Sequence, residues 1–506
     1  MSATNAEIDS CAPKHFRCQT NSKAPSDESK SRKSQSPLRP RKNQSQATEI
    51  ERHFLELSFL AKFPAQKPKY PSQKRHQKVK KSKSTTKLFS SFRILQISKK
   101  NATIPPMTRF VKFLVAALGL LLPWHGAITV FLPEEFRWWK ELVLGMLAIA
   151  IVMLEFSKKK RAPLAPTEKW ALGFLAWCGI LTIFNSDFET AAVAARYLGF
   201  GFFAFLVLSR AKNVENNLLE IFTKFFVPAA AASVIFGVWV KFFGGADFVQ
   251  IFYSNAISSW VPGQTIPLWH ETENFVRMQG ASSGPTEFSH LLLAATALIF
   301  TEKNRSNFLF KILFCTLFLF GIFQSFSRAA ILGSIILFAV FAFQNFKISR
   351  KKTLAVIFST IAIFSGFLFL NKNLVQNFVG RSGTIAHFSR PIEATKMGID
   401  APLLGNLGKL GPAARAKNLT EKNDDRAPIA ENVLADWFAQ LGALGFLLGI
   451  GFLFSLGKTV KPRFLGFLIA AFLMMNLATI FEMTPIGITF FALFAFFQKS
   501  EKIHTK

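Results

Sequence analysis

Arg196 in AAVAARYLGF, Glu287 and His290 in GPTEFSHLLL, Arg328 in FQSFSRAAIL, Glu431, Asn432 and Asp436 in ENVLADWF, and Glu482 in FEMTP are polar or ionisable side chains set at the edges of apolar runs. Ionisable groups in such surroundings face a bundle interior or a water-filled cavity and mark substrate sites. Guanidinium forks placed there can hold an anion bidentately, and a buried carboxylate or imidazole can exchange a proton with a substrate. The bland account is snorkelling to lipid headgroups, which suits Lys224, Lys311 and Glu155. For groups of both signs gathered toward one side, a polar cavity is the better account.

The elements that must position these residues follow from composition. The chain has 506 residues, 50% hydrophobic and 59 of them Phe, with a mean hydropathy of +0.27. Apolar runs of about 18 residues or more recur from Phe110 onward, which excludes an ordinary soluble enzyme. The fold class expected is all-α, a polytopic membrane bundle of about twelve transmembrane helices. Hydropathy places the spans near 110–132, 138–156, 169–185, 191–209, 218–243, 286–301, 306–326, 328–346, 353–370, 431–456, 464–481 and 485–498. The net charge of +31 invites a nucleic-acid partner, but roughly half of the excess lies before Met107. Residues 1–106 hold no Gly and no Trp and cannot bury a core, so they read as a disordered basic extension, with Met107 the favoured start. That segment lacks nearly all the aromatic interleaving of a nucleic-acid binder, and no nucleic-acid partner is expected. The four cysteines are too scattered for a disulfide framework or a metal site; Cys178 and Cys315 sit in apolar runs as small hydrophobes.

Loop charges orient the bundle. SKKKRAP, SRAKN, EKNRS, KISRKK, GKTVKPR and the basic tail 499–506 fall on one side, and EEFRWWKE, NSDFE and FEMTP on the other. Both termini are then cytoplasmic in a membrane domain spanning 107–498. Two long connections, 244–285 and 371–430, face outward, the second between spans nine and ten. It carries Arg381, His387, Arg390, Glu393, Asp400 and Arg426, and a connection of that length in a compact bundle reads as an active-site loop. Gly442, Gly445 and Gly449 make one face of span ten small enough for close helix approach. Trp124, Trp138, Trp139, Trp260 and Trp269 read as interfacial aromatics.

Three segments carry a resemblance. VRMQGASSGPTEFSHLLL, FQSFSRAAILG, and RPIEATKMGIDAPLLGNLG followed by ENVLADWFAQLGALGFLLG resemble, in order, spacing and side of the membrane, the Arg-x-x-Gly segment, the span-joining Ser-Arg, and the long-loop Arg, Pro-Leu-x-Gly turn and His-Asn helix opening of the O-antigen ligase family. That superfamily also holds O-antigen polymerases and protein O-oligosaccharyltransferases. The resemblance implies a glycosyltransferase of polysaccharide or lipopolysaccharide biosynthesis in the cytoplasmic (inner) membrane, without metal or cofactor. Such an enzyme moves a glycan from a polyprenyl diphosphate, such as undecaprenyl diphosphate, to a glycan, lipid or protein hydroxyl. A transporter or flippase is the alternative from another class.

Residue by residue, the resemblance gives Arg277, Arg328 and Arg390 to the diphosphate, with Arg277 and Arg328 catalytic and Arg390 substrate-binding. Arg196, Glu287, His290, Asn432 and Asp436 are the other substrate-binding expectations. The family's His-Asn is Glu431-Asn432 here, so Glu431 takes the place of the base, with Asp436 in reserve and His387 and His290 as further candidates. A carboxylate serves as a base when its surroundings favour the protonated form. The departure leaves ligation, polymerisation and protein glycosylation open.

Overall fold

The computed structural model describes residues 106–131, 136, 138–157, 163–244, 277–301, 308–345, 382–420 and 429–499. The extension 1–105, most of the first long connection including Trp260 and Trp269, the expected span 353–370, and Arg381 and Arg426 lie outside the described residues. His387 falls on a described helix, but its side chain lies outside them.

The described residues are 83% helix and contain no strand. In chain order the helices are α1 (Pro106–Leu121), α2 (His125–Phe131), α3 (Trp139–Phe156), α4 (Pro166–Ile183), α5 (Phe188–Val214), α6 (Leu218–Phe242) and α7 (Pro285–Thr301). There follow α8 (Phe308–Ser325), α9 (Arg328–Asn345), α10 (Ser382–Asp400), α11 (Gly411–Thr420), α12 (Val433–Thr459), α13 (Leu465–Met475) and α14 (Thr484–Phe497). Among the described residues, four segments are long and apolar enough to cross a membrane: Pro106–Thr129, Phe188–Val214, Leu218–Phe242 and Val433–Thr459. Large apolar side chains left exposed on them and their neighbours, such as Phe113, Leu142, Ile149, Phe184 and Ile235, suit a lipid surround.

The bundle is built around its last helix. TPIGITFFALFAFF is apolar all round, and a helix of that kind must be enclosed; all of Thr484–Phe497 is buried. It packs chiefly on α5 and also on α7, with α4 on the far side of α5 and α12 against α4. Glycines admit aromatic rings at these crossings: Gly201 receives Phe491, and Phe202 stands 4.8 Å from the same ring.

The connection 371–430 is more structured than its polarity suggests. It contains α10, which packs along α12, and α11, which packs on α5. The turn between them enters the membrane helix. In α12, Gly442 adopts φ 66°, ψ −170°, a conformation open to glycine alone, and breaks the helix. At the break both backbone groups that an unbroken helix would pair with each other, Ala443 N–H and Ala439 O, have partners in the loop. Ala443 N–H donates to Pro402 O (2.7 Å) and Ala439 O accepts from Asn406 N–H (2.8 Å). One loop turn thus satisfies both backbone groups that the break releases, as a break at membrane depth requires.

Gly442 therefore departs from the small-face expectation. A Cβ on it would lie 2.3 Å from Leu403 O, and one on Gly405 would lie 2.4 Å from Gly442 N. Gly445 and Gly449 keep a packing role, but they admit the rings of Trp177 and Trp437 rather than a helix backbone. Trp139 departs too: it is buried, and its indole reaches His125, while Trp138 stays exposed.

Candidate functional site

At the head of α12 the sequence E-N-V-L-A-D sets three roles within six residues. Asn432 is extended and caps the helix, its Oδ1 accepting from Ala435 N–H at 2.9 Å, as N-cap side chains do. Its amide donates to the backbone and side-chain oxygens of Asn476, both at 3.2 Å, which fastens the helix head to the end of α13. Glu431 directly precedes the cap, with φ 55°, and lies outside the helix. Its Oε1 accepts from Arg390 Nη1 at 2.6 Å, across from α10. Structure thus joins two residues that the sequence had placed 41 apart.

One turn into α12, Asp436 is 1% exposed. Gln440, four residues on, donates to Asp436 Oδ1 (2.8 Å) and Glu482 Oε1 (3.4 Å) and accepts at Oε1 from Gly408 N–H (3.2 Å). Gly411, at φ 68°, leans on the Glu482 carboxylate, where a Cβ would lie 3.0 Å from both oxygens. Glu482 Oε2 has no hydrogen-bond partner. Two buried carboxylates therefore share one amide, and among the described residues neither has a cationic partner.

Arg277 and Arg328, two of the three arginines of the resemblance, meet at another joint. Arg277 Nε donates to Ser325 O at 2.7 Å, and Met278 N–H to Gln324 O at 2.9 Å, so the segment before α7 is stitched to the end of α8. Phe326 then takes φ 52° and Ser327 starts α9, whose first residue is Arg328. Burial, and then the neighbouring Arg328 charge, push Arg277 down to about 10, so it stays cationic at neutral pH. On α7, Glu287 Oε1 accepts from Ser283 N–H (3.2 Å). His290 Nδ1 meets Thr286 O at 2.7 Å. A carbonyl only accepts, so Nδ1 carries the hydrogen, and the buried Nε2 has no partner.

Arg196 is engaged elsewhere. It pairs with Glu141 and stacks 4.6 Å over Trp138. The groups are not isolated: Lys140 lies within electrostatic reach of Glu141, Arg196 and Glu287, and Tyr197 within reach of Glu482. Sequence reasoning missed Gln440, Glu141, Lys140 and Asn476. Gln440 left one signal, its place four residues after Asp436 on the same helical face.

No protein-family model matches the chain, and no curated protein matches it. The site must therefore be argued from its own geometry. Among the described residues, the only non-glycine residues with a left-handed backbone are Glu431 and Phe326. One is the residue that the resemblance sets where the family has its base, and the other sits two residues before Arg328. Strain of this kind costs about 1–3 kcal/mol and persists where its surroundings impose it, characteristically at active sites. Among the described residues no group of three or more His, Cys, Asp and Glu side chains is placed to hold a metal ion.

Proposed function

We propose that the chain is a membrane-embedded glycan transferase of the O-antigen ligase kind, working at the outer face of the cytoplasmic membrane. On this reading about twelve spans cross the bilayer and both termini are cytoplasmic. The observation that carries it is the strained backbone at Glu431 and beside Arg328, two of the positions that the family resemblance selects, one of them held by a third, Arg390.

The reaction joins an acceptor hydroxyl to the anomeric carbon of a polyprenyl diphosphate-linked glycan. The acceptor oxygen forms the new bond, the bond from anomeric carbon to phosphate oxygen breaks, and the diphosphate leaves with the electron pair. Arg277 and Arg328 stabilise the charge that gathers on the leaving group. Glu431 takes the hydroxyl proton. Arg390 holds that carboxylate, and an incoming diphosphate competes for the same guanidinium, so donor binding releases Glu431 toward the hydroxyl.

The break in α12 favours a second reading, a transporter, because broken helices build transport sites. Here, however, the turn from Pro402 to Asn406 fills the break.

The test is transfer from a labelled polyprenyl diphosphate glycan by purified full-length protein with chelator present. Glu431→Gln is expected to bind donor and lose transfer by roughly 10² or more, within the range of general-base removal. Glu431→His is expected to recover part of it, because imidazole titrates near neutrality. Transfer by the Gln variant within about threefold of wild type would remove Glu431 from the base role. A wild-type protein that moves the lipid-linked glycan without releasing polyprenyl diphosphate would favour the transporter.

A further inference from the structure

We infer that Gln440 is a positioning residue that fixes the outer turn Pro402–Gly411 and the buried pair Asp436–Glu482 to one another. As a role in transfer this rests on the function proposed above; as a mechanical link it does not.

The geometry leaves the amide one orientation. Gly408 N–H can only donate, so the oxygen of Gln440 faces it and the NH2 faces the acids. Each of its two hydrogens then serves a different carboxylate, Asp436 at 2.8 Å and Glu482 at 3.4 Å. No other side chain of this size offers one acceptor and two donors at the same end. The residue is 1% exposed and sits two positions before the break at Gly442. Its partners come from three separate places: the loop turn, the first turns of α12 and the α13–α14 connection. The turn that carries Gly408 also fills the break, and Gly411 rests on Glu482. A change at either carboxylate is therefore transmitted through one amide to the loop whose α10 carries Arg390 to Glu431. Gln440 touches no reacting atom in this scheme; it sets where the loop lies when Arg390 and Glu431 meet.

The test is an amide–carboxylate exchange in the full-length protein. Gln440→Glu keeps the acceptor for Gly408 but removes both donors and adds a third carboxylate. It is expected to lower transfer by about a hundredfold and to raise hydrogen exchange of the 403–411 peptide about tenfold, as loss of hydrogen bonds to charged groups does. The double variant Gln440→Glu/Glu482→Gln restores two carboxylates and one amide, and should recover at least about tenfold of the transfer together with most of the exchange protection. Gln440→Met, similar in shape with neither donor nor acceptor, should loosen the 403–411 peptide even if it folds normally. The inference is overturned if the double variant does no better than Gln440→Glu, or if Gln440→Met leaves exchange at 403–411 unchanged. Absence of transfer by wild type would sink the proposed function, and the exchange measurements would still decide the link.

Discussion

Glu168 and Glu482 are the same residue at the same depth of burial, 1% and 3% exposed, and the protein treats them in opposite ways. Glu168, near the start of α4, is fully provided for. It accepts from Ala165 N–H (2.8 Å), Ser209 Oγ (2.8 Å) and Arg210 Nη2 (2.6 Å), and Arg210 also reaches Glu155. Glu482 receives a long hydrogen bond from Gln440 (3.4 Å) and lies against the Asp436 carboxyl, with no cation among the described residues. A buried carboxylate with a cation keeps its charge, whereas one without gives it up: burial first, and the neighbouring Asp436 second, push the Glu482 carboxyl well above the usual carboxylate range. The difference separates a carboxylate that ties helices together through a cation from one that meets only an amide and a second carboxyl.

The largest expected effect breaks the provided side. Arg210→Ala leaves Glu168 buried without its cation and should cost about 3–5 kcal/mol, read as a lower SDS fraction at half-unfolding in mixed micelles. Glu482→Gln replaces a carboxyl that has no cation with a neutral amide of the same shape, and should stay within about 1 kcal/mol of wild type or gain stability. Equal and large losses in both would show that Glu482 is structural and erase the contrast.

A smaller effect sharpens it at the break. Gly442→Ala must hold a Cβ at φ 66° and 2.3 Å from Leu403 O, and should cost about 2–4 kcal/mol from strain and the shift it forces on the loop turn. Gly457, on the same helix with nothing within 4 Å of its would-be Cβ, is the control. Gly457→Ala should be neutral or stabilise by up to about 1 kcal/mol, the helix-propensity difference. If both alanines behaved alike under SDS unfolding, the break would be incidental.

Much of the fold was legible. The apolar runs 218–243, 286–301 and 328–346 coincide with helices Leu218–Phe242, Pro285–Thr301 and Arg328–Asn345, of which Leu218–Phe242 is long and apolar enough to cross a membrane; continuous apolar runs bounded by charge leave the backbone few other ways to satisfy itself. The break at Gly442 was not legible. GALGFLLG reads the same whether glycine makes a small face or a left-handed kink, and what stabilises the kink lies 37–40 residues upstream in the Pro402–Gly405 stretch. α10 and α11 were hidden for a related reason: Pro391 and low hydropathy mask helices that form by docking on α12 and α5. At the site, Glu431 was legible as a position but not as half of an ion pair, since nothing local points to Arg390. Glu168 escaped notice because a satisfied carboxylate looks, in sequence, like any other.

The smallest expected effect lies at the edge of the site, where the connection 371–430 is tied to the head of α5. Asn185 Nδ2 donates to Leu407 O (3.1 Å), and Lys417 Nζ to Asp187 Oδ2 (2.6 Å), while Asp187 Oδ1 caps α5 through Thr190 N–H (3.1 Å). The Lys417 hydrogen bond first, and the Thr190 bonds second, hold the Asp187 carboxyl down to about 2. A depressed acid stabilises the folded state above its unfolded pKa of about 3.9, and that contribution fades as the pH falls from about 4 to about 2. The pair is largely exposed and screened by salt, so the contribution is small. Asp187→Asn isolates it, because asparagine caps a helix as well as aspartate does and only the bond to Lys417 loses its charge. The variant should unfold at nearly the wild-type SDS fraction at neutral pH and show a flatter fall in stability between pH 4 and pH 2. Proteolysis of the 382–420 segment should rise slightly at low salt and not at all at high salt. A large loss at neutral pH would mean that the loop is held mainly by this tether, rather than by the turn seated in the broken helix.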